Sequence, residues 1–218
     1  MTIEATIARV QDAVLLGVLR APDPASGEKA AATLVEAGIP GVEVTFSTPD
    51  AARVIAAVRH RYGQESVVGA GTVLTAAQAR AAVDAGAEYL VSPGMDPPIV
   101  EAMLATGVTV MAGALTPTEV LAGLRFGVHV VKLFPASLGG PAYLRALRGP
   151  FPDVPFMPTG GVSTDNLADW LAAGAVALGA GGELVSSADL AAGDYDAVAA
   201  KARRFAAAIG VARSEVAR

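Results

Sequence analysis

Five segments of this chain end in the same way, with an alanine-rich helical stretch, then a glycine, then a short apolar run. A glycine directly after the last helical turn readily adopts the left-handed conformation that ends a helix. The apolar runs that follow have the length of a strand and are rich in valine. A helix followed repeatedly by a strand is typical of a parallel α/β fold. The five glycines are Gly38, Gly86, Gly107, Gly127 and Gly174.

Eight apolar runs of strand type are spaced along the chain, and a helix is predicted between successive runs. Their spacing, roughly 20 to 28 residues per unit, is that of βα repeats. We predict a single-domain (β/α)8 TIM barrel over residues 1–218, because no long polar linker divides the chain. An open doubly wound sheet is disfavoured, because the polar residues within the strands need an interior to face. The runs are 14–20, 41–46, 67–71, 89–92, 108–112, 128–134, 154–158 and 175–179.

Further helices are predicted at the two ends of the chain. Residues 2–12 indicate an additional N-terminal helix that covers the bottom of the barrel, and residues 187–212 a closing helical region. Three internal helices are predicted to begin at capping residues, namely Thr75, Thr116 and Ser163, the last together with Asn166.

Composition excludes several classes of function. The chain has no cysteine, which excludes disulfides, cysteine nucleophiles and thiolate metal sites. A formal charge of −5 and the absence of a basic tract disfavour nucleic acid and anionic membranes as partners. No apolar run approaches the roughly 20 residues of a membrane-spanning helix, and no secretory signal is recognisable. We expect a cytoplasmic protein that acts on small molecules.

One of the three lysines, Lys132, lies within an apolar strand, where a charged side chain must be paired or desolvated. Alternation along the strands turns Lys132 and Glu43 to the barrel interior. A neutral buried amine is a nucleophile that can attack a ketone to form a Schiff base, and a nearby carboxylate can move the protons. The alternative at this stage is a structural ion pair.

Two glycine-rich turns follow the last two predicted strands, at 159–163 and 179–182. In TIM barrels these loops often bind phosphate through backbone N–H groups, although each turn alone equally suits a tight turn. Thr72 and Pro93 end the third and fourth strands and so face the same mouth, with turn formation as the alternative role. Phe134 either contacts substrate or fills the core.

Taken in order, six phrases of the sequence resemble the 2-keto-3-deoxy-6-phosphogluconate aldolases, a family that includes 6-phosphogalactonate and 4-hydroxy-2-oxoglutarate aldolases. The resemblance spans about residues 14–185. It implies a (β/α)8 barrel, a homotrimer, a class I mechanism without metal or other cofactor, and a role in the Entner-Doudoroff pathway of carbohydrate metabolism. The phrases are GVEVTFSTPDA, VVGAGTVLTAAQ, YLVSPG, VVKLFPAS, GPFPDVPFMPTGGVS and the final GAGG.

The resemblance also implies a role for each matching residue. Lys132 corresponds to the Schiff-base lysine and Glu43 to the general acid and base. Around the pyruvate moiety the matching residues are Thr72, Pro93 and Phe134, and around the phosphate they are Thr159, Gly160, Gly161, Gly181 and Gly182.

Two positions depart from the family pattern. Ser47 stands where the best-known members carry the arginine that binds the substrate carboxylate, and Gly182 stands where a phosphate-binding serine is common. Arg20, at the end of the first strand, matches an arginine of other family branches, so we expect it to bind the carboxylate instead.

The reaction expected from this resemblance is reversible cleavage of 2-keto-3-deoxy-6-phosphogluconate to pyruvate and glyceraldehyde 3-phosphate. The 6-phosphogalactonate epimer and 4-hydroxy-2-oxoglutarate are alternative substrates. Outside the family, a phosphate-binding barrel that is not an aldolase would use Lys132 only as an electrostatic anchor.

Overall fold

The helix–glycine–strand repeat builds an eight-stranded parallel barrel, which confirms the predicted fold class. The computed structural model describes residues 1–216, with side chains to residue 214. The sheet order is β7-β6-β5-β4-β3-β2-β1-β8, and a parallel bridge between Thr159 and Gly179 nearly closes the ring between β7 and β8. The strands are β1 (Leu15–Leu19), β2 (Gly41–Thr45), β3 (Val67–Gly71), β4 (Tyr89–Val91), β5 (Thr109–Ala114), β6 (Val130–Leu133), β7 (Phe156–Pro158) and β8 (Leu178–Ala180).

Helices alternate with the strands, and all five predicted glycine stops have a positive φ, between 78° and 95°. The caps at Thr75 and Thr116 are confirmed, the second as a capping box with Glu119. The helices are α1 (Ile3–Ala13), α2 (Pro24–Glu36), α3 (Ala51–Tyr62), α4 (Ala76–Asp84), α5 (Pro97–Leu104), α6 (Pro117–Phe126), α7 (Gly140–Arg148), α8 (Leu167–Ala172), α9 (Ser187–Ala192) and α10 (Tyr195–Val216), with a short 3-10 helix at Ala136–Leu138.

The predicted helix start at Ser163 is wrong, because α8 begins only at Leu167. The Ser163 N–H donates to the side-chain oxygen of Asn166 at 2.9 Å, which closes a turn ahead of the helix. The residues from Gly160 to Asn166 therefore form a longer loop at the end of β7 than the sequence suggested. None of the helices in the described part of the chain is long and apolar enough to cross a membrane.

Side chains on the strands form two separate apolar layers. Outward residues such as Val42, Val44 and Val131 pack against the ring of helices. Inward residues such as Leu16, Met111 and Val130 fill the lower interior, where Val10 and Ala13 of α1 join them. Helix α1 thus closes the bottom of the barrel, as predicted.

A buried carboxylate ties the base of the barrel to two helices. Glu88, immediately before β4, forms ion pairs with Arg9 of α1 and with Arg59 of α3, the latter at 2.7 Å. Arg9 also donates to the carbonyl of Ser66 at 2.5 Å. Because the Glu88 side chain is only 6% exposed, its charge depends on these partners rather than on water.

Replacing Arg59 with methionine should lower the free energy of unfolding by about 2 kcal/mol, because a buried carboxylate loses one of two cationic partners. The measurement is urea unfolding followed by circular dichroism. Arg61→Met on the same helix is the matched control, since its ion pair with Glu36 is more than half exposed and should contribute less than about 1 kcal/mol. Equal losses for the two variants would contradict the role assigned to Glu88.

Candidate active site

Lys132 and Glu43 meet inside the barrel, on β6 and β2. The Lys132 Nζ lies 3.5 Å from Glu43 Oε1, and the two side chains are 6% and 0% exposed. The Lys132 Nζ also lies 5.2 Å from the centroid of the Phe134 ring. The strand phases predicted from sequence are therefore confirmed, because the polar residues of both strands point inward.

The contacts of Glu43 differ from those of a well-built structural ion pair. A buried pair offsets the cost of desolvation only when additional hydrogen bonds satisfy the remaining oxygen lone pairs. Both carboxylate oxygens of Glu43 are buried, yet neither accepts a hydrogen bond from the described residues. The pair is thus undersatisfied as a structural element, and both of its groups can exchange protons with a bound molecule.

Glycines on β3 make room for Glu43 and for the tyrosine near it. A Cβ on Gly71 would lie 2.0 Å from Glu43 Oε1, and a Cβ on Gly69 would lie 2.4 Å from the ring of Tyr89. The Tyr89 hydroxyl donates to the Val42 carbonyl at 2.7 Å. Burial, together with the Glu43 charge, raises the pKa of Tyr89 well above its ordinary value, so it stays a neutral donor.

Neither Gly71 nor Tyr89 was predicted from the sequence to belong to this arrangement. The one signal present was the alternation of glycine on β3, in Gly69-Ala70-Gly71, which places two positions without side chains on the inner face.

Seven of the predicted site residues line one cavity of about 120 Å³ at the mouth of the barrel. Val18, Val162 and Glu183 complete its wall, and these three were not predicted. The cavity joins the ends of β1, β6, β7 and β8, because β1 lies beside β8 in the sheet. The seven predicted residues are Arg20, Phe134, Thr159, Gly160, Gly161, Gly181 and Gly182.

The two glycine turns present polar groups to this cavity. Gly160 and Gly161 have φ angles of 94° and 79°, which a residue with a side chain adopts only under strain. Within the described part of the chain, the N–H groups of Gly161 and Gly182 have no acceptor. The buried Thr159 Oγ1 likewise has no hydrogen-bond partner among those residues. These groups are available to an anion.

Thr72 and Pro93 lie at the same end of the barrel but outside the wall of this cavity. Thr72 has a φ of 54°, a strained conformation for a β-branched residue and one that concentrates at functional sites. The Pro93 carbonyl lies so close to β5 that a Cβ on Gly113 would be 2.1 Å from it. Gly113 is paired in register with Lys132, so the Pro93 loop crosses the strand next to the lysine.

A parallel barrel with a buried lysine and carboxylate, and with N–H groups lacking acceptors at its mouth, is an arrangement suited to an enzyme of carbonyl chemistry. The chain matches the family model described as "KDPG and KHG aldolase" over residues 6–201, and it belongs to this family of aldolases. Its activity is therefore that of a lyase.

Three relatives illustrate the range of the family. The 2-dehydro-3-deoxy-phosphogluconate aldolase of Treponema pallidum is 41% identical over 94% of this chain and 91% of its own length. A KHG/KDPG aldolase of Escherichia coli is 38% identical over 79% of this chain and 81% of its own length. The 2-dehydro-3-deoxy-6-phosphogalactonate aldolase of E. coli is 33% identical, over 78% and 83%.

Two solved structures have the same fold. A KDPG aldolase from Legionella pneumophila, with pyruvate captured as a covalent carbinolamine, superposes with a TM-score of 0.83 at 26% identity, covering 94% of this chain and 98% of that one. A chain of a cube-shaped cage designed by fusing symmetric oligomeric domains gives a TM-score of 0.84 at 30% identity, covering 92% and 73%.

Proposed function

We propose that this aldolase reversibly cleaves 2-keto-3-deoxy-6-phosphogluconate to pyruvate and glyceraldehyde 3-phosphate through a Schiff base on Lys132. The observation that carries the proposal is the buried lysine 3.5 Å from a carboxylate whose oxygens lack hydrogen-bond partners in the described chain. The name of the Treponema pallidum relative favours the gluconate substrate. The two E. coli relatives keep the galactonate epimer and 4-hydroxy-2-oxoglutarate as alternatives.

Imine formation needs the lysine as a neutral amine. Proton transfer within the pair leaves the Lys132 amine free to attack the C2 ketone, and the carbinolamine forms. Glu43, directly or through water, then delivers the proton with which the carbinolamine hydroxyl leaves as water. The product is an iminium between Lys132 and C2. The covalent carbinolamine that pyruvate forms in the Legionella pneumophila enzyme supports this order of reaction steps by analogy.

Carbon–carbon cleavage then uses the iminium as an electron sink. Glu43 takes the proton from the C4 hydroxyl, the C3–C4 bond breaks, and its electron pair moves toward the iminium nitrogen. Glyceraldehyde 3-phosphate departs and leaves the enamine of pyruvate on Lys132. Protonation at C3 and hydrolysis of the imine release pyruvate and restore the amine.

The two anionic ends of the substrate require separate binding groups. We assign the carboxylate to Arg20 and the phosphate to the turns at 159–161 and 181–182, which line the mouth cavity and in which the N–H groups of Gly161 and Gly182 have no acceptor among the described residues. Thr72, Pro93 and Phe134 are assigned to the pyruvate moiety. No metal or other cofactor enters this mechanism, and the cytoplasmic location stays a prediction.

Borohydride reduction in the presence of pyruvate tests the mechanism. The peptide that contains Lys132 should gain the mass of the reduced pyruvate adduct, while the peptides containing Lys29 and Lys201 serve as internal controls. An unmodified Lys132 at saturating pyruvate would reject the Schiff base and favour a phosphate-binding barrel with another activity. Comparing kcat/KM for the two epimers and for 4-hydroxy-2-oxoglutarate then decides the substrate.

Arg20→Ala should raise the half-saturating pyruvate concentration in the trapping assay by about 10- to 100-fold, because a charged hydrogen-bonded pair with the carboxylate is lost. Arg145→Ala, an exposed change on α7, is the control and should have no effect. If only the KM for glyceraldehyde 3-phosphate rises, Arg20 binds the phosphate and the carboxylate assignment is wrong.

Gly182→Ser should lower the KM for phosphorylated substrate by about threefold to tenfold, since one hydroxyl can add one hydrogen bond to the phosphate. The change is sterically free, because a Cβ at this position meets no atom within 4 Å. The same variant should leave the KM for 4-hydroxy-2-oxoglutarate unchanged. An equal improvement for both substrates would show that the turn at 181–182 does not contact the phosphate.

We further propose that the chain assembles as a homotrimer through the surface that carries the exposed leucines after β3, β5 and β6. Leu74, Leu121, Leu124 and Leu138 follow β3, β5 and β6 and are 43% to 72% exposed. Relatedness to a symmetric oligomeric domain supports self-association as the use of this surface. Light scattering should give three times the mass of one chain, and Leu138→Glu should reduce it; a monomeric wild type would reject the proposal.

A further inference from the structure

The residues on either side of Arg20 are held by two buried threonines of the neighbouring strand and loop. The Thr45 hydroxyl donates to the Leu19 carbonyl at 2.9 Å. The Ala21 N–H donates to the Thr48 hydroxyl oxygen at 3.0 Å. Thr45 is 0% exposed and Thr48 is 2% exposed, so water cannot replace either bond without rearrangement.

These bonds continue the contact between β1 and β2 beyond the sheet. The last pair in the β1–β2 register is Leu19 with Val44, so Arg20 lies just past the end of the strand ladder. Threonine hydroxyls thus substitute for backbone pairing at the point where the chain would otherwise separate from the sheet. As a result, the backbone that carries the Arg20 side chain is fixed relative to the barrel.

Ser47 adds a third hydroxyl to the arrangement. Its Oγ lies 2.7 Å from the Thr45 Oγ1. Because the single Thr45 proton points to the Leu19 carbonyl, Ser47 is the donor to Thr45. The hydrogen bonds therefore run from Ser47 through Thr45 to the residue before Arg20. Ser47 itself stands where the resemblance places an arginine in the best-known phosphogluconate aldolases.

We propose that Thr45 and Thr48, assisted by Ser47, are positioning residues that hold Arg20 ready to bind the substrate carboxylate. This inference rests on the role proposed above for Arg20. An arginine side chain loses conformational entropy when it binds an anion, and a fixed backbone reduces the part of that loss due to the main chain. Ser47, which stands where the best-known family members carry an arginine, thus helps to hold the backbone of a different arginine, Arg20.

Isosteric variants test the inference. Thr45→Val and Thr48→Val should each raise the half-saturating pyruvate concentration for borohydride trapping by about fivefold, the effect of one hydrogen bond. The kcat should change less than about twofold, since these hydroxyls do not touch the reacting atoms. Thr48→Ser keeps the hydroxyl and should restore the wild-type value. Thr109→Val is the control, because Thr109 is equally buried but bonds to Ile3 at the opposite end of the barrel.

A double-mutant cycle with Arg20→Ala tests the positioning role of the two threonines separately from the proposed binding of the carboxylate by Arg20. In the Arg20→Ala background, Thr45→Val and Thr48→Val should have no further effect on the pyruvate concentration. Persistence of the full fivefold effect there would overturn the positioning role. So would a normal pyruvate response of both threonine variants when Arg20→Ala alone is impaired.

If Arg20→Ala itself behaves as wild type, the carboxylate assignment fails first and the positioning role fails with it. Circular dichroism shows whether each threonine variant folds. Where one does not, Ser47→Ala decides, since Ser47 is exposed and its loss should be tolerated. A rise of about twofold supports the inference, and an unchanged value overturns it.

Discussion

Turnover should fall by roughly 10⁴-fold or more when Lys132 is replaced by methionine, because loss of the covalent nucleophile leaves only binding effects. The same variant should give no borohydride adduct with pyruvate. Methionine is close in size to lysine and is suited to the apolar walls around this position, so the fold should be retained. The measurements are kcat with saturating substrate and the mass of the trapped protein.

Lys132→Arg separates the two roles that a buried cation can have here. Arginine keeps the positive charge beside Glu43 but forms no imine with a ketone, so this variant should be as inactive as Lys132→Met. Substantial activity in Lys132→Arg, with its fold confirmed by circular dichroism, would mean that the lysine acts as an electrostatic anchor. Lys201→Met, which breaks an ion pair with Asp189 far from the barrel interior, should leave kcat unchanged.

The second large effect is expected from a single methyl group at Gly71. Gly71→Ala would place a Cβ 2.0 Å from Glu43 Oε1, so the carboxylate must move away from its position beside Lys132. We expect kcat to fall by about 10²- to 10³-fold, comparable with the loss of a general acid and base in Glu43→Gln. The double variant should be little worse than either single variant, because both remove the same function.

Gly210→Ala provides the control for this prediction. Gly210 lies within α10, where a Cβ meets no atom within 4 Å, and alanine there should slightly stabilise the helix. If Gly71→Ala retains wild-type kcat, the carboxylate does not work from the position it occupies here. A loss of kcat accompanied by a much lower melting temperature would instead point to general damage to the barrel.

Sequence periodicity was sufficient to predict the barrel and the central pair. Alternation along β2 and β6 decides which side of the strand each residue faces, and that information is local. The glycine stops are equally local, since each depends on one residue's conformation. For the same reason, Lys132 and Glu43 could be assigned to one interior before any contact between them was known.

Side-chain contacts between neighbouring strands could not be predicted from the alternation of residues along each strand. Gly71 leaves space for the Glu43 side chain, which extends over it from the neighbouring strand. The Thr48 hydroxyl accepts a hydrogen bond from the Ala21 N–H of the neighbouring loop. Such contacts depend on register and side-chain direction, which composition does not encode. The start of α8 was mispredicted for a similar reason. Ser163 has the side chain of a capping residue, but its N–H bonds to the Asn166 side chain in a turn, and the helix is capped three residues later, at Asn166.

Side-chain geometry was also needed to judge the alternative that Lys132 and Glu43 form only a structural ion pair. Sequence shows that a lysine and a carboxylate share the interior, but not whether their remaining lone pairs are satisfied. The oxygens of Glu43 accept no hydrogen bond from the described residues, which favours the proposed reactive pair over one that only supports the fold.

The floor made by α1 and the Glu88 cluster lies at the amino ends of the strands, opposite the loops proposed to bind the substrate. Changes that strengthen this floor leave the mouth untouched, so they can offset the destabilisation that new loop sequences bring. A laboratory programme to widen the range of accepted aldehydes would therefore do well to reinforce the base first. The loops could then be diversified with less risk of unfolding the enzyme.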